Sequence, residues 1–224
     1  MPAQIAVFAG PSLYHEDRHK YAQMCDIYSP ATSGDLLALM PRGYKCIVLL
    51  DGYYNSVPSP WHKEILFALA LGCKVIGGSS LGALRASELS DFGMIGIGSV
   101  FSQYASLKRS SDADVALLHA PSSATIPYLP LTIPLVDFDF FHSQSLTSGD
   151  YHSVAKEKIQ CLSNLSYQFR DYQSVSSGIA LNTDLGSRLK QYFRGECRGL
   201  KNLDAALAID YALELVSNKE LNCP

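Results

Sequence analysis

The chain has 224 residues, of which 47% are hydrophobic and 17% charged, and its formal net charge is -3. That length allows one sizeable core, and the slightly acidic balance gives no electrostatic reason to expect nucleic acid or an anionic membrane as the partner. The six cysteines form no C-x-x-C pair, and no apolar stretch is long enough to span a bilayer. We therefore expect a reduced, cytoplasmic protein.

The first 140 residues alternate between strand and helix patterns. Residues 4–10 and 45–52 are apolar runs that end at turn residues, which is typical of buried parallel strands. The later segments are a helix at 59–72, a strand at 73–78, a helix at 80–90, and strands at 114–121 and 132–141. Such alternation predicts an α/β fold with an open, mostly parallel sheet of the Rossmann-like or flavodoxin-like type and helices on both faces.

The pattern changes after about residue 145. Residues 149–165, 185–195 and 203–218 predict helices, and no further strand is predicted. We therefore expect two parts: an α/β core domain over residues 1–145, and a helical C-terminal extension over 146–224 that packs on it.

Polar residues cluster where the predicted strands end. They are Ser12, Asp51, Ser79, Ser80 and His119. In parallel α/β sheets, ligands bind outside the carboxyl ends of the strands, so the sequence predicts the functional site at this edge.

The sharpest motif is Gly78-Ser79-Ser80-Leu81-Gly82, which fits the G-x-S-x-G pattern of a nucleophile elbow. Small residues on either side suit the sharp turn, and the amides of the following helix could stabilise an oxyanion. The alternative is a tight turn in which Ser80 only caps that helix.

A serine nucleophile needs a base and a group that orients the base. His62 and His119 are the two candidate bases, and we predict that Asp51 orients the base. The alternative for His62 is packing against Trp61. Arg85 and Glu88 lie three positions apart on one helix face, where they either hold an anionic group or pair with each other.

Residues 14–21 contain a literal H-E-x-x-H with His15, Glu16 and His19, a pattern that can chelate zinc on a helix. The helix would be short, its surroundings are polar, and no third ligand follows at a fixed spacing. We therefore predict no metal site.

Several blocks, in this order, resemble the TfuA-like protein family over residues 4–140. They are VFAGPSL (7–13), DGYYNSVPSPWHKEILFALALG (51–72), GGSSLGALRASEL (77–89), FGMIGIG (92–98) and DADVALLHAP (112–121). Positions matching the family pattern include Asp51, His62, Lys63, Ser80, Gly82, Arg85 and Glu88. Ser79 and Ser87 stand where the family leads us to expect alanine.

The resemblance implies a partner of a YcaO-type enzyme, which uses ATP to activate a peptide amide and forms a thioamide. The implied role is sulfur delivery: the chain hydrolyses a thiocarboxylated ubiquitin-like sulfur carrier and releases sulfide, with no cofactor of its own. Ser80, His62, Asp51 and His119 would then be catalytic. The expected substrate-binding residues are Ser12, Lys63, Ser79, Gly82, Arg85 and Glu88.

A non-catalytic subunit that docks on a YcaO enzyme and activates it is the alternative function. In that case the glycine-rich turn would be only structural, and the C-terminal helices would recruit the partner. Assembly into a homo-oligomer is compatible with either function.

Overall fold

The structure is a computed structural model that describes residues 4–145, 151–177, 179 and 183–220. The chain divides into two compact units, Met1–Ser110 with Asn202–Pro224, and Ser111–Lys201. The predicted division into a core over 1–145 and an extension over 146–224 stays a prediction.

The first unit contains a five-stranded sheet in which every strand pairs in parallel. Its strands are β1 Ile5–Phe8, β2 Asp26–Tyr28, β3 Cys46–Leu49, β4 Lys74–Gly78 and β5 Ile95–Ile97. Their spatial order is β2-β1-β3-β4-β5, the order of flavodoxin-like folds. The predicted open parallel α/β sheet is confirmed, and the strand order reverses between β1 and β3.

Helices cover both faces of this sheet, as predicted. One face packs against α2 Asp35–Leu39, α3 His62–Ala70 and α4 Leu81–Leu89. The other packs against α1 His15–Tyr21 and residues 205–212 of α10 Leu200–Glu220. A short helix, α5 Ser99–Ala105, follows β5. Alternate residues of β1 and β3 enter the two cores, which is the period of two that a strand imposes on its side chains.

Two predicted strands are wrong. Residues 114–121 are irregular after a 3-10 turn at Asp112–Asp114, with one isolated bridge between His119 and Pro130. Residues 132–141 lie largely in the helix α6 Leu135–Gln144. In α6, Leu135, Phe138 and Phe141 enter one core at a spacing of three residues, so the apolar run has the period of a helix and not of a strand.

The second unit is helical in its later part. Besides α6 it contains α7 Tyr151–Asn164, α8 Tyr172–Ser176 and α9 Asp184–Phe193. The helices predicted at 149–165, 185–195 and 203–218 therefore form as α7, α9 and α10. Across the described ranges, no helix is long and apolar enough to cross a membrane.

A buried polar cluster holds this second unit together. The Asp137 carboxylate accepts hydrogen bonds from the Tyr192 hydroxyl (3.0 Å) and the Lys201 amide (2.9 Å). Lys201 Nζ donates to Val115 O (2.9 Å). Burial raises the pKa of Asp137 above its ordinary value, and the nearby Lys201 charge opposes that shift. Satisfied hydrogen bonds are what allow such groups to lie in the interior.

The cysteines near the amino ends of the strands are buried, and burial raises their pKa. The pKa is about 11 for Cys25 and Cys73 and about 12 for Cys46. At pH 8, these buried cysteines are therefore held almost entirely in the unreactive thiol form. Cys161, in contrast, is exposed.

We expect iodoacetamide at pH 8 to modify Cys161 rapidly in the native protein and to leave Cys25, Cys46 and Cys73 unmodified. Peptide mapping by mass spectrometry measures this directly. The control is the protein in denaturant, where all four thiols should react. Native labelling of Cys46 at the rate of Cys161 would contradict the buried placement.

Candidate functional site

The loops that follow β1, β3, β4 and β5 meet at the carboxyl edge of the sheet in the first unit. This is the edge at which parallel α/β folds bind ligands, and the switch point between β1 and β3 belongs to it. The sequence places Ser12, Asp51, Ser79 and Ser80 in these loops. The start of α10 also contributes, which the sequence did not predict.

Asp51 ties the loop after β1 to the end of β3. Its Oδ2 accepts from the amides of Gly10 (2.8 Å) and Ser12 (2.9 Å), and its Oδ1 accepts from Ser12 Oγ (2.6 Å). Asp51 and Ser12 are both buried. These contacts hold the loop after β1 in place. None of the three joins Asp51 to a histidine, which is the contact that its predicted role requires.

Two residues at the start of α10 hold the neighbouring loops. Asn202 Nδ2 donates to Pro11 O (3.1 Å) and to Ser12 O (3.0 Å). The buried Asp204 carboxylate accepts from the amides of Ser99 (2.9 Å) and Val100 (2.7 Å) at the start of α5. The sequence signal for this role was weak, because Asn202 and Asp204 are two of several polar residues in α10.

The turn between β4 and α4 brings two backbones into direct contact. A Cβ atom on Gly82 would overlap the carbonyl oxygen of Leu49, and one on Gly77 would overlap that of Gly82. Ser79 adopts a left-handed conformation, with φ of 66°, which is strained for a residue other than glycine. Gly77 and Gly82 therefore have a packing role, and the strained residue of the turn is Ser79.

Ser80 occupies the position before the first residue of α4, but its side chain makes no capping hydrogen bond. The residue is buried, with 8% of its surface exposed. The alternative in which Ser80 serves as an ordinary side-chain cap therefore has no support in this geometry.

The amides that follow Ser80 differ in their hydrogen bonds. Gly82 N–H donates to Leu50 O (3.1 Å), and the amides of Ala83 and Leu84 donate to Ser80 O (2.9 and 3.4 Å). Within the described part of the chain, the amide of Leu81 has no such backbone acceptor. In a nucleophile elbow, the amide directly after the serine is an oxyanion donor, and Leu81 holds that position.

His62 belongs to a separate group of side chains. Its Nε2 lies 2.8 Å from Glu88 Oε2, and Arg85 Nη1 lies 2.6 Å from the same oxygen. Arg85 Nε also donates to Pro60 O (3.2 Å). Glu88 follows Ser80 by eight residues, about 12 Å along the helix axis. The predicted Ser80–His62–Asp51 arrangement is therefore not among the observed contacts.

Two further predicted residues are Lys63 on α3 and His119 in the second unit. Lys63 is exposed in the first turn of α3. His119 belongs to the second unit, where its Nδ1 lies 2.8 Å from Ala120 O and its ring packs against Tyr128. Its role as a base stays a prediction. In the described ranges, no three His, Cys, Asp or Glu side chains form a metal site.

Because backbone contact positions α4, we expect Gly82→Ala to lower the free energy of unfolding by about 3 kcal/mol, since the new Cβ forces the helix off the sheet. Ser87→Ala is a matched control on the same helix, and it should cost about 1 kcal/mol or less because it removes one local bond to Leu84 O. Urea titration measures both. Equal destabilisation by the two changes would contradict the close packing.

A family model described as TfuA-like protein matches residues 51–171, just over half of the chain. The match includes Asp51, the β4–α4 turn with Ser80, and the His62–Glu88–Arg85 group. It ends before the α10 residues that hold the site loops. A search of curated proteins gave no match. The chain belongs to the TfuA-like protein family.

Proposed function

We propose that this chain is a partner of a YcaO-type enzyme and delivers sulfur for the formation of a peptide-backbone thioamide. In the proposal it hydrolyses a thiocarboxylated ubiquitin-like carrier and releases sulfide. Membership of the TfuA-like family is consistent with a role beside a YcaO enzyme. Two observations on one turn carry the hydrolytic step. The Ser80 side chain makes no capping hydrogen bond, and among the described residues the Leu81 amide has no backbone acceptor.

The proposed reaction is an acyl transfer with water as the final acceptor. The carrier thiocarboxylate and one water molecule give the carrier carboxylate and hydrogen sulfide, so atoms and charge balance. Ser80 Oγ attacks the thiocarboxylate carbon, and its proton passes through the base to the sulfur as the C–S bond breaks, so that hydrosulfide leaves. Water then hydrolyses the Ser80 ester, which gives the carrier carboxylate, restores the Ser80 hydroxyl and releases the proton that converts hydrosulfide to hydrogen sulfide. The Leu81 amide donates to the oxyanion of the tetrahedral intermediate.

Two histidines are the candidates for the base of this reaction. His62 has a carboxylate partner, but this partner is Glu88 and not Asp51. Bonding through Nε2 leaves Nδ1 as the nitrogen that could accept a proton. His119 stays the other candidate. Substrate binding by Ser12, Lys63, Ser79, Gly82, Arg85 and Glu88 is likewise part of the proposal. ATP belongs to the YcaO partner, and the chain itself uses no cofactor.

A second candidate function is a non-catalytic subunit that docks on the YcaO enzyme and activates it. It is favoured by the separation of His62 from Ser80 in the observed contacts. It is also favoured by large apolar side chains on the first unit that are about half exposed or more, among them Trp61 (61%), Phe67 (49%), Leu71 (60%) and Phe92 (64%). Exposed apolar surface of this kind is common where proteins associate.

We expect Ser80→Ala to lower the rate of sulfide release from a thiocarboxylated carrier by about 100-fold or more, because it removes the nucleophile. The assay contains no YcaO enzyme and measures sulfide directly. Ser87→Ala is the matched control, since its hydroxyl bonds within the same helix.

Sulfide release by Ser80→Ala at the wild-type rate would exclude an essential chemical role for Ser80. A parallel assay with the YcaO enzyme, its substrate peptide and free sulfide separates the second candidate. If the chain is a docking subunit, the wild-type protein and the Ser80→Ala variant stimulate thioamide formation equally well in that assay.

A further inference from the structure

Strand β5 is an edge strand of the sheet. Among the described residues it pairs on one side only, with β4. Its three residues, Ile95–Ile97, are all partly exposed. An edge strand has backbone N–H and C=O groups directed away from the sheet, and an extended peptide can pair with them as an added strand.

The register places the end of β5 level with the candidate site. Ile97 pairs with Gly78, and Ser79 and Ser80 follow Gly78 directly. Neighbouring strands lie about 4.8 Å apart, so a segment added beyond β5 lies about 10 Å from β4. About three extended residues cross that distance, at roughly 3.3 Å each. A chain that ends shortly after such a strand can therefore reach Ser80.

The opposite edge of the sheet does not have this relation to Ser80. Strand β2, Asp26–Tyr28, is separated from β4 by β1 and β3. A segment added there would lie about 19 Å from β4, four strand spacings away. The two edges have equal length, and only the β5 edge is within short reach of the serine.

The β5 edge also restricts what can bind. The strand reads Ile-Gly-Ile and has no charged side chain, so its contacts are backbone hydrogen bonds with apolar flanks. A parallel added strand runs toward the carboxyl edge, so it delivers its own C-terminus there. An extended C-terminal segment fits this direction, whereas an antiparallel strand would place its N-terminus near Ser80.

We propose that the outer edge of β5 binds the extended C-terminal segment of the acyl-donor carrier as a parallel sixth strand. The terminal thiocarboxylate then extends past Ile97 to Ser80. This inference rests on the proposed function, since it identifies how the substrate of that reaction is held. It adds a binding surface, Ile95–Ile97, that is not among the predicted site residues.

The test is hydrogen exchange of the wild-type chain with a carrier that ends in an ordinary carboxylate, which binds without reacting. At saturating carrier, we expect the outward amides within Ile95–Ile97 to exchange at least tenfold more slowly. Asp26–Tyr28, the matched edge, should be unchanged. A carrier lacking its last six residues should give no protection of β5.

Absence of binding, or binding that leaves Ile95–Ile97 unprotected, would overturn the inference. Equal protection by the truncated carrier would overturn it as well. The sulfide assay separates this result from the proposed function. If sulfide release depends on Ser80 but the amides of Ile95–Ile97 are not protected, the hydrolase function is retained and the added strand is rejected. If β5 is protected but neither the wild-type chain nor the Ser80→Ala variant releases sulfide, the added strand is retained and the hydrolysis is rejected.

Discussion

The candidate site depends on direct contact between the backbone of α4 and the backbones of β3 and β4. Gly82 packs against Leu49 O with no side chain between them, and Gly77 packs against Gly82 in turn. The bond from Gly82 N–H to Leu50 O fixes the same approach. This contact determines where α4 begins, and so where Ser80 and the Leu81 amide lie. Gly77 and Gly82 thus allow the helix to start directly after Ser80.

The central part of the fold could be predicted from sequence because its signals are local and strong. Strands β1 and β3 are continuous apolar runs, and β4 has Val75 and Ile76 before its two glycines. The alternation of these strands with helices identifies the parallel sheet. The edge strands could not be predicted in this way. β2 contains Asp26, and β5 has a glycine between two isoleucines, so neither shows a sustained apolar pattern. Their strand state comes from pairing with neighbours, which is a tertiary effect.

The site was predictable in location and less so in its contacts. Strand ends and the glycine pattern placed Ser80 at the carboxyl edge, where the structure has it. The partners of the charged groups depend on side-chain directions that sequence spacing does not encode. Asp51 contacts the loop of Ser12, and His62 contacts Glu88 on a neighbouring helix. The Asp51 carboxylate thus stabilises the loop of Ser12, whereas the Glu88 carboxylate contacts both His62 and Arg85.

The bonds made by the start of α10 have a consequence for folding. Asn202 joins the loop of Ser12 across 190 residues of chain, and Asp204 caps α5 across 104. Contacts of such sequence separation form late, because the entropy of closing a long loop must be overcome before they stabilise anything. During synthesis, the sheet strands emerge long before these two residues. The carboxyl edge of the sheet can therefore be completed only after Asn202 and Asp204 have left the ribosome, and a nascent chain would have a sheet before it has a finished site.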